Sequence, residues 1–298
     1  MRFFFRSRVF LSAVAVLLLG ASFLYYFLVF NEEPVATEVV TQDRQLPERD
    51  VIGLSVEGRE IEAYTYVPLK GKDTRNIHLV FVGGIHGGYE WNSVLLAYTF
   101  IDYLNANLTI IPENVMVTVI PDANPDGVYN VIGKEGRFAL EDVPSDTSTE
   151  PGRFNAHTVD LNRNFDCKWK PDGTWRGKEV SAGTGPFSEP ESQSIRNFVM
   201  EHKPTAFVFW HSQANAVYAS ECREGILPET LSLMKVYADA SLYPPVDSFD
   251  AYEVTGDAEG WLASVGIPAI TVELKTHETI EWDRNIAGIK ALFEYYRR

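Results

Sequence analysis

Cysteine is scarce in this chain, with two residues among 298. That excludes a disulfide scaffold and any zinc module built from cysteine clusters. Basic residues are short too: 26 Lys and Arg face 41 Asp and Glu, for a formal net charge of −15. A polyanionic surface repels phosphate backbones, so nucleic acid is not an expected partner. No internal repeat or low-complexity tract is present. Apolar residues at 45% and charged residues at 22% exclude a disordered or fibrous chain.

Long apolar runs are equally rare, with one exception. Arg2, Arg6 and Arg8 precede an uncharged stretch over residues 9–30. As a helix it would span about 33 Å, the thickness of a bilayer's hydrocarbon core. Tyr25 and Tyr26 sit at its outer end, where amphipathic rings favour the interface. The pattern predicts a single-pass anchor, with residues 1–8 a basic cytoplasmic flank and the rest of the chain extracytoplasmic. A cleaved signal peptide is the rival. Against it stand the length of the run and the lack of a small-x-small site. Residues 31–48 are polar and without apolar periodicity, which reads as a linker. Residues 49–298 then have the usual size of one α/β domain.

Within that domain, residues 51–68 alternate around Glu57-Gly58-Arg59 as a hairpin would. Residues 76–85, 115–120, 206–210 and 268–274 read as buried strands. Helical spacing covers 90–104, about 188–202, 231–241, 256–264 and 285–296. Residues 122–127 read as a turn and 129–158 as a long surface loop. Strands interleaved with helices predict an α/β fold: a single domain whose mostly parallel, mixed central sheet is flanked by helices on both faces.

Ligands in open α/β sheets bind beyond the carboxyl ends of the strands. The first apolar run is followed by His86 and Glu90, and the second by Asn124-Pro125-Asp126-Gly127. The third ends in His211-Ser212, and the last carries Glu273. Of the six histidines, His78 lies inside a strand and His202 near a helix end, which suits structural roles, while position alone leaves His157 open. His277 belongs to HETIE, a near miss of the HExxH zinc helix that lacks the second histidine and a long helix. Two neutral imidazoles with one carboxylate form an open catalytic zinc site that keeps a position for water.

These pieces, in this order, resemble the zinc carboxypeptidase family, the carboxypeptidase A-like metallopeptidases. The resemblance covers GGIHGGYEWN, NPDG, TVDLNRNF, FVFWHS and TVEL. It implies one zinc ion per chain held by His86, Glu90 and His211, with Glu273 as the general base that activates the bound water. By the same resemblance Asn162 and Arg163 grip the terminal carboxylate of a peptide substrate. Arg153 is similar to the arginine that polarises the scissile carbonyl, and Tyr252 to the mobile tyrosine that closes over the substrate. Asp257 and Glu259 fall where the family lines its side-chain pocket, and carboxylates there favour an amine-bearing side chain. The alternative for Asp257 is a helix cap. One departure stands out: three residues separate His86 from Glu90 where the family has two, and glycines at 87 and 88 offer the freedom to absorb the third.

The implied activity is hydrolysis of a peptide amide beside a free carboxylate, with envelope or cell-wall peptides as candidates. Within the same fold the alternative is an N-acyl amino acid deacylase of the succinylglutamate desuccinylase or aspartoacylase kind. A non-catalytic peptide-binding envelope protein is the rival from another class. Cys167 follows the Asn-Arg motif and Cys222 lies eleven residues beyond His211, so both belong near this site. Outside the cytoplasm they are expected to form a disulfide, with two separate buried thiols as the alternative.

Overall fold

Alternation within the apolar runs decides the layering. The computed structural model of the protein describes residues 47–67, 77–145, 148–250 and 252–297. The basic flank, the anchor and nearly all of the linker lie outside the described residues. Among the described residues no helix is long and apolar enough to cross a membrane.

In chain order the strands are β1 (Glu48–Leu54), β2 (Glu60–Tyr66), β3 (Ile77–Val82), β4 (Val115–Ile120), β5 (Asp172–Trp175), β6 (Lys178–Ser181), β7 (Ala206–Ser212), β8 (Ala216–Ala219), β9 (Glu221–Cys222), β10 (Gly225–Ile226), β11 (Pro245–Val246) and β12 (Ala269–Leu274). The helices are α1 (Trp91–Ala106), α2 (Pro125–Ile132), α3 (Pro190–His202), α4 (Pro228–Ser241), α5 (Ala258–Ser264) and α6 (Trp282–Tyr296). Eight strands form the main sheet in the order β1-β2-β4-β3-β7-β12-β8-β11. Its centre is parallel, β4 with β3, β3 with β7 and β7 with β12. Antiparallel pairs flank that centre. This is the predicted mixed α/β sheet.

Odd and even residues of the central strands feed two separate cores. Phe81, Val208, Trp210 and Val272 pack with Phe100 of α1, Tyr237 of α4 and Phe293 of α6. Val80, Val82, Phe207 and Phe209 pack on the other face with Ile195 and Phe198 of α3 and Leu262 of α5. Period-two alternation therefore buries both faces and calls for helices on each.

Two expectations change. The segment read as a turn at 122–127 runs straight into α2, and the expected loop 129–158 begins inside that helix. Pro125 occupies its first turn and the Asn124 side chain accepts a hydrogen bond from Gly127 N at 3.0 Å. Proline at the first helical position, after an asparagine cap, is a helix start; the turn residues hid it. Cys167 and Cys222 form the expected disulfide, with Cα atoms 6.0 Å apart.

Candidate active site

Register brings the chemistry together. In the parallel pair of β7 and β12, Glu273 lies directly beside His211. Both belong to the face opposite Trp210 and Val272, since neighbouring residues of a strand alternate. His86 arrives from the end of β3 through Gly83-Gly84. A one-turn 3-10 helix, Gly87–Glu90, then brings Glu90 back to it. Gly87 has φ +44, and a Cβ there would lie 2.6 Å from Gly152 O. Only glycine fits. That turn carries the three residues between His86 and Glu90.

The three side chains converge in a buried place. His86 Nδ1 is 2.8 Å from Glu90 Oε1, His211 Nδ1 is 3.1 Å from Glu90 Oε2, and the two Nδ1 atoms are 3.2 Å apart. All three residues are at least 95% buried, and among the described residues they are the one His/Cys/Asp/Glu set close enough to share a metal ion. The outer nitrogen of each imidazole faces a carboxylate. His86 Nε2 is 3.5 Å from Asp160 Oδ1, a charge contact too long for a good hydrogen bond, and His211 Nε2 is 3.0 Å from Glu259 Oε1. Outer carboxylates of this kind orient metal-binding imidazoles. Two nitrogen lone pairs and a carboxylate aimed at one another fit a zinc ion.

The electrostatics agree. Burial pushes the Glu90 carboxyl up, but the charges of His86 and His211 outweigh it and hold the group far below the usual carboxylate range. Burial lowers His211, yet Glu90 and Glu259 raise it well above its ordinary value. Burial also raises Asp160, and the Arg153 and Arg163 charges reverse that strongly.

A cavity of about 590 Å³ opens on this cluster. It is also lined by Arg153, Asn162, Arg163, Tyr252, Asp257, Glu259 and Glu273, so every residue that the sequence reading singled out for the site borders one space. Arg153 is held by Asp160 Oδ2 at 2.9 Å from Nε and 2.8 Å from Nη2. Its plane stacks 4.6 Å from the Trp175 ring, leaving Nη1 3.9 Å from Glu90 Oε1. Asn162 Oδ1 accepts from Ala258 N at 2.8 Å, which leaves its Nδ2 to donate. Arg163 donates to Asn162 O and Thr174 O, while its buried Nε has no partner. Glu273 Oε2 accepts from Ala214 N at 3.2 Å. Burial, then the Glu90 charge, pushes the Glu273 carboxyl up to about 7. The half-buried Tyr252 rests on Phe249, with ring centres 4.8 Å apart.

Asp257 caps α5 by accepting from Gly260 N at 2.6 Å, as the alternative reading had it, and it also borders the cavity. Burial and then Glu259 raise its carboxyl to about 6. Glu259 is engaged by His211 and by Thr271 Oγ1 at 3.1 Å. Burial raises it, but His211 pulls it below its usual range.

Several contributors escaped the sequence reading. Asp160 joins His86 to Arg153, and its signal was its place two residues before Asn162 in TVDLNRNF. Tyr89 and Trp175, with ring centres 5.2 Å apart, wall the cavity beside Arg153. Ser220, whose buried Oγ has no partner, lines the same cavity; nothing in the sequence marks it. His78 and His157 lie outside the cavity lining, bonded to Thr118 Oγ1 at 2.8 Å and to Glu189 Oε2 at 2.7 Å. His202, at the end of α3, packs against Phe198 with the rings tilted and their centres 4.5 Å apart.

Two histidines, a glutamate and a raised carboxyl at the carboxyl edge of a parallel sheet define a metal-dependent hydrolase site. A family model described as zinc carboxypeptidase matches residues 34–285, and the chain belongs to that family of zinc-dependent hydrolases. It is 27% identical over 246 residues to a carboxypeptidase B of Helicoverpa zea, covering 74% of this chain and 56% of that protein. It therefore spans about half the length of such a curated relative. Its fold matches carboxypeptidase A of Helicoverpa armigera with a TM-score of 0.64 and 19% identity, over 85% of this chain and 70% of the other. A murein-tripeptide amidase of Escherichia coli O157 gives 0.58 and 21%, over 88% and 96%.

Proposed function

We propose that this chain is a metallocarboxypeptidase that hydrolyses a peptide amide next to a free carboxylate, with one zinc ion bound by His86, Glu90 and His211. The observation that carries the reading is the pairing of Glu273 with His211 across β12 and β7 at the mouth of the cavity that Arg153, Asn162 and Arg163 also line. The bound zinc would supply Lewis-acid polarisation of the carbonyl and a water acidic enough to lose its proton near neutrality. Glu273 takes that proton and returns it to the leaving amine. Arg153, fixed on Asp160 and Trp175, donates toward the oxygen that gains charge. Arg163 and the Asn162 amide hold the substrate carboxylate, the geometry a guanidinium fork is suited to. Tyr252 closes the substrate side of the cavity.

Glu273 works only when ionised, so activity is lost as pH falls through its pKa. The expected kcat/KM profile rises with pH and levels off near 7. A bound dication offsets the Glu90 charge that helps raise this carboxyl, which places the acid limb below about 7 rather than above it. A kcat/KM that falls rather than rises as pH increases through the acid limb would exclude Glu273 as the base.

Asp257 and Glu259 support an amine-bearing side chain beside the scissile bond. Asp257→Ala is expected to cost about 1 kcal/mol of stability through the lost cap, and with it the preference for Lys-like over neutral terminal residues. Unchanged selectivity in a panel of peptides would leave Asp257 with the cap alone.

Envelope peptides are the substrates to test first. Support comes from the uncharged stretch at 9–30, which the sequence reading makes an anchor with the catalytic part extracytoplasmic, and from the name of one protein of this fold, a murein-tripeptide amidase. The direct test is zinc analysis with a panel of defined peptides and N-acyl amino acids. Cleavage of peptides at the terminal residue supports the proposal. Cleavage of acylated amino acids alone would make the chain a deacylase, and binding without cleavage would make it a peptide-binding protein.

A further inference from the structure

The loop after β12 runs back over both ligand-bearing segments. Asn92, two residues beyond Glu90, donates from Nδ2 to Thr276 O at 2.7 Å and to Thr279 O at 3.0 Å. Carbonyl oxygens only accept, so the orientation of this amide is fixed and its Oδ1 is an acceptor. Ser212 Oγ lies 3.0 Å from that Oδ1 and gives its single hydrogen there. The same Oγ is 2.6 Å from His277 Nδ1. With no hydrogen left, Ser212 accepts, and the proton is on His277 Nδ1. Burial holds the imidazole below its ordinary pKa. Its Nε2 is buried and without a hydrogen-bond partner.

We propose that His277 is a positioning residue for the metal centre: its Nδ1–H on Ser212 and its ring on Tyr89 fix the segments carrying His211 and Glu90 against the strand that carries Glu273. The inference rests on the zinc-hydrolase reading above. Ser212 follows His211 directly, and its backbone N–H donates to Glu90 Oε2 at 3.2 Å. Tyr89 precedes Glu90, and its ring centre is 4.6 Å from that of His277. One side chain thus touches the neighbours of two ligands and sits four residues past the base. A phenyl ring keeps the packing on Tyr89 and removes the donor to Ser212, so it separates the hydrogen bond from the bulk of the side chain.

The test compares the full chain with His277→Phe, which keeps the ring and removes the donor, and His277→Asn, which keeps a donor near Nδ1. Ser212→Ala removes the acceptor and serves as a second probe should either His277 variant fold poorly. Zinc affinity by chelator competition, kcat and KM on a cleaved peptide, and melting of the metal-free proteins are measured together. His277→Phe is expected to weaken zinc binding about 10–100-fold, as loss of an outer partner does. Its kcat should fall while KM stays within about twofold, and the metal-free protein should melt no lower than the parent. Ser212→Ala should match it, the double variant should be no worse than either single one, and His277→Asn should stay close to the parent. Zinc affinity and kcat within about twofold of the parent for His277→Phe, or additive losses in the double variant, would overturn the proposal. A parent chain that binds no zinc would instead defeat the hydrolase reading, so the two failures are distinct.

Discussion

Glu273→Gln is expected to slow peptide hydrolysis about 10²–10⁴-fold, the contribution of a positioned general base, while zinc binds as tightly as before. Glutamine has the same shape and keeps an oxygen for Ala214 N, so the site should stay intact. What is lost is the ability to take a proton from water and pass it to the leaving amine. Because Glu273 is not one of the three converging ligand groups, zinc content separates this effect from metal loss. A variant within tenfold of the parent would mean that the proton goes elsewhere, and the assignment of Glu273 would fall.

His211→Ala should do more damage and of a different kind. It removes one of the three proposed ligands, so zinc affinity should fall by more than the roughly 10–100-fold that an outer partner costs, and hydrolysis should disappear with it. The metal-free protein should suffer as well. His211 contacts Glu90 and Glu259, both buried, and taking it away leaves Glu90 with His86 as its one histidine partner and Glu259 with the Thr271 hydroxyl. Breaking a buried ion pair from one side costs about 3–5 kcal/mol, so urea unfolding without metal should show a loss of that order. Glu259 is held low by His211, and Glu90 by His86 and then His211, so the variant should recover part of its stability as pH falls and these carboxyls take up protons. A variant as stable as the parent at pH 7, or one that still binds zinc with parental affinity, would contradict the geometry.

The fold was legible because the central strands are written as unbroken apolar runs and the helices as 3.6-residue stripes. Strand ends marked His86, His211 and Glu273 directly, since each follows or closes such a run. Asn162 and Arg163 came from the resemblance of TVDLNRNF to a family motif. What stayed hidden depended on distance in sequence. Nothing near Glu259 says that its oxygen meets His211, 48 residues away, because that contact exists only once α5 packs beside β7. Asp160 lies within TVDLNRNF, but its tie to Arg153, seven residues upstream, exists only in the fold. HETIE is no zinc helix, and the contacts His277 makes are invisible in the sequence because its partners, Ser212 and Tyr89, come from other strands and turns. The helix at Pro125–Ile132 was missed for a local reason: Asn, Pro, Asp and Gly signal both a turn and a capped helix start, and the apolar residues that decide between them come later.

The alignment of β7 with β12 sets a rule of parity for any change in this protein. Adding or deleting one residue between Pro268 and Glu273, or between Thr205 and His211, would flip the tail of that strand and send its carboxylate or imidazole into the layer occupied by Trp210 and Val272. Only paired edits preserve which side each residue faces. Length variation among homologous chains should therefore avoid these two short stretches and collect in the connections between them, and an engineered insertion at either place should abolish turnover even where the chain still folds.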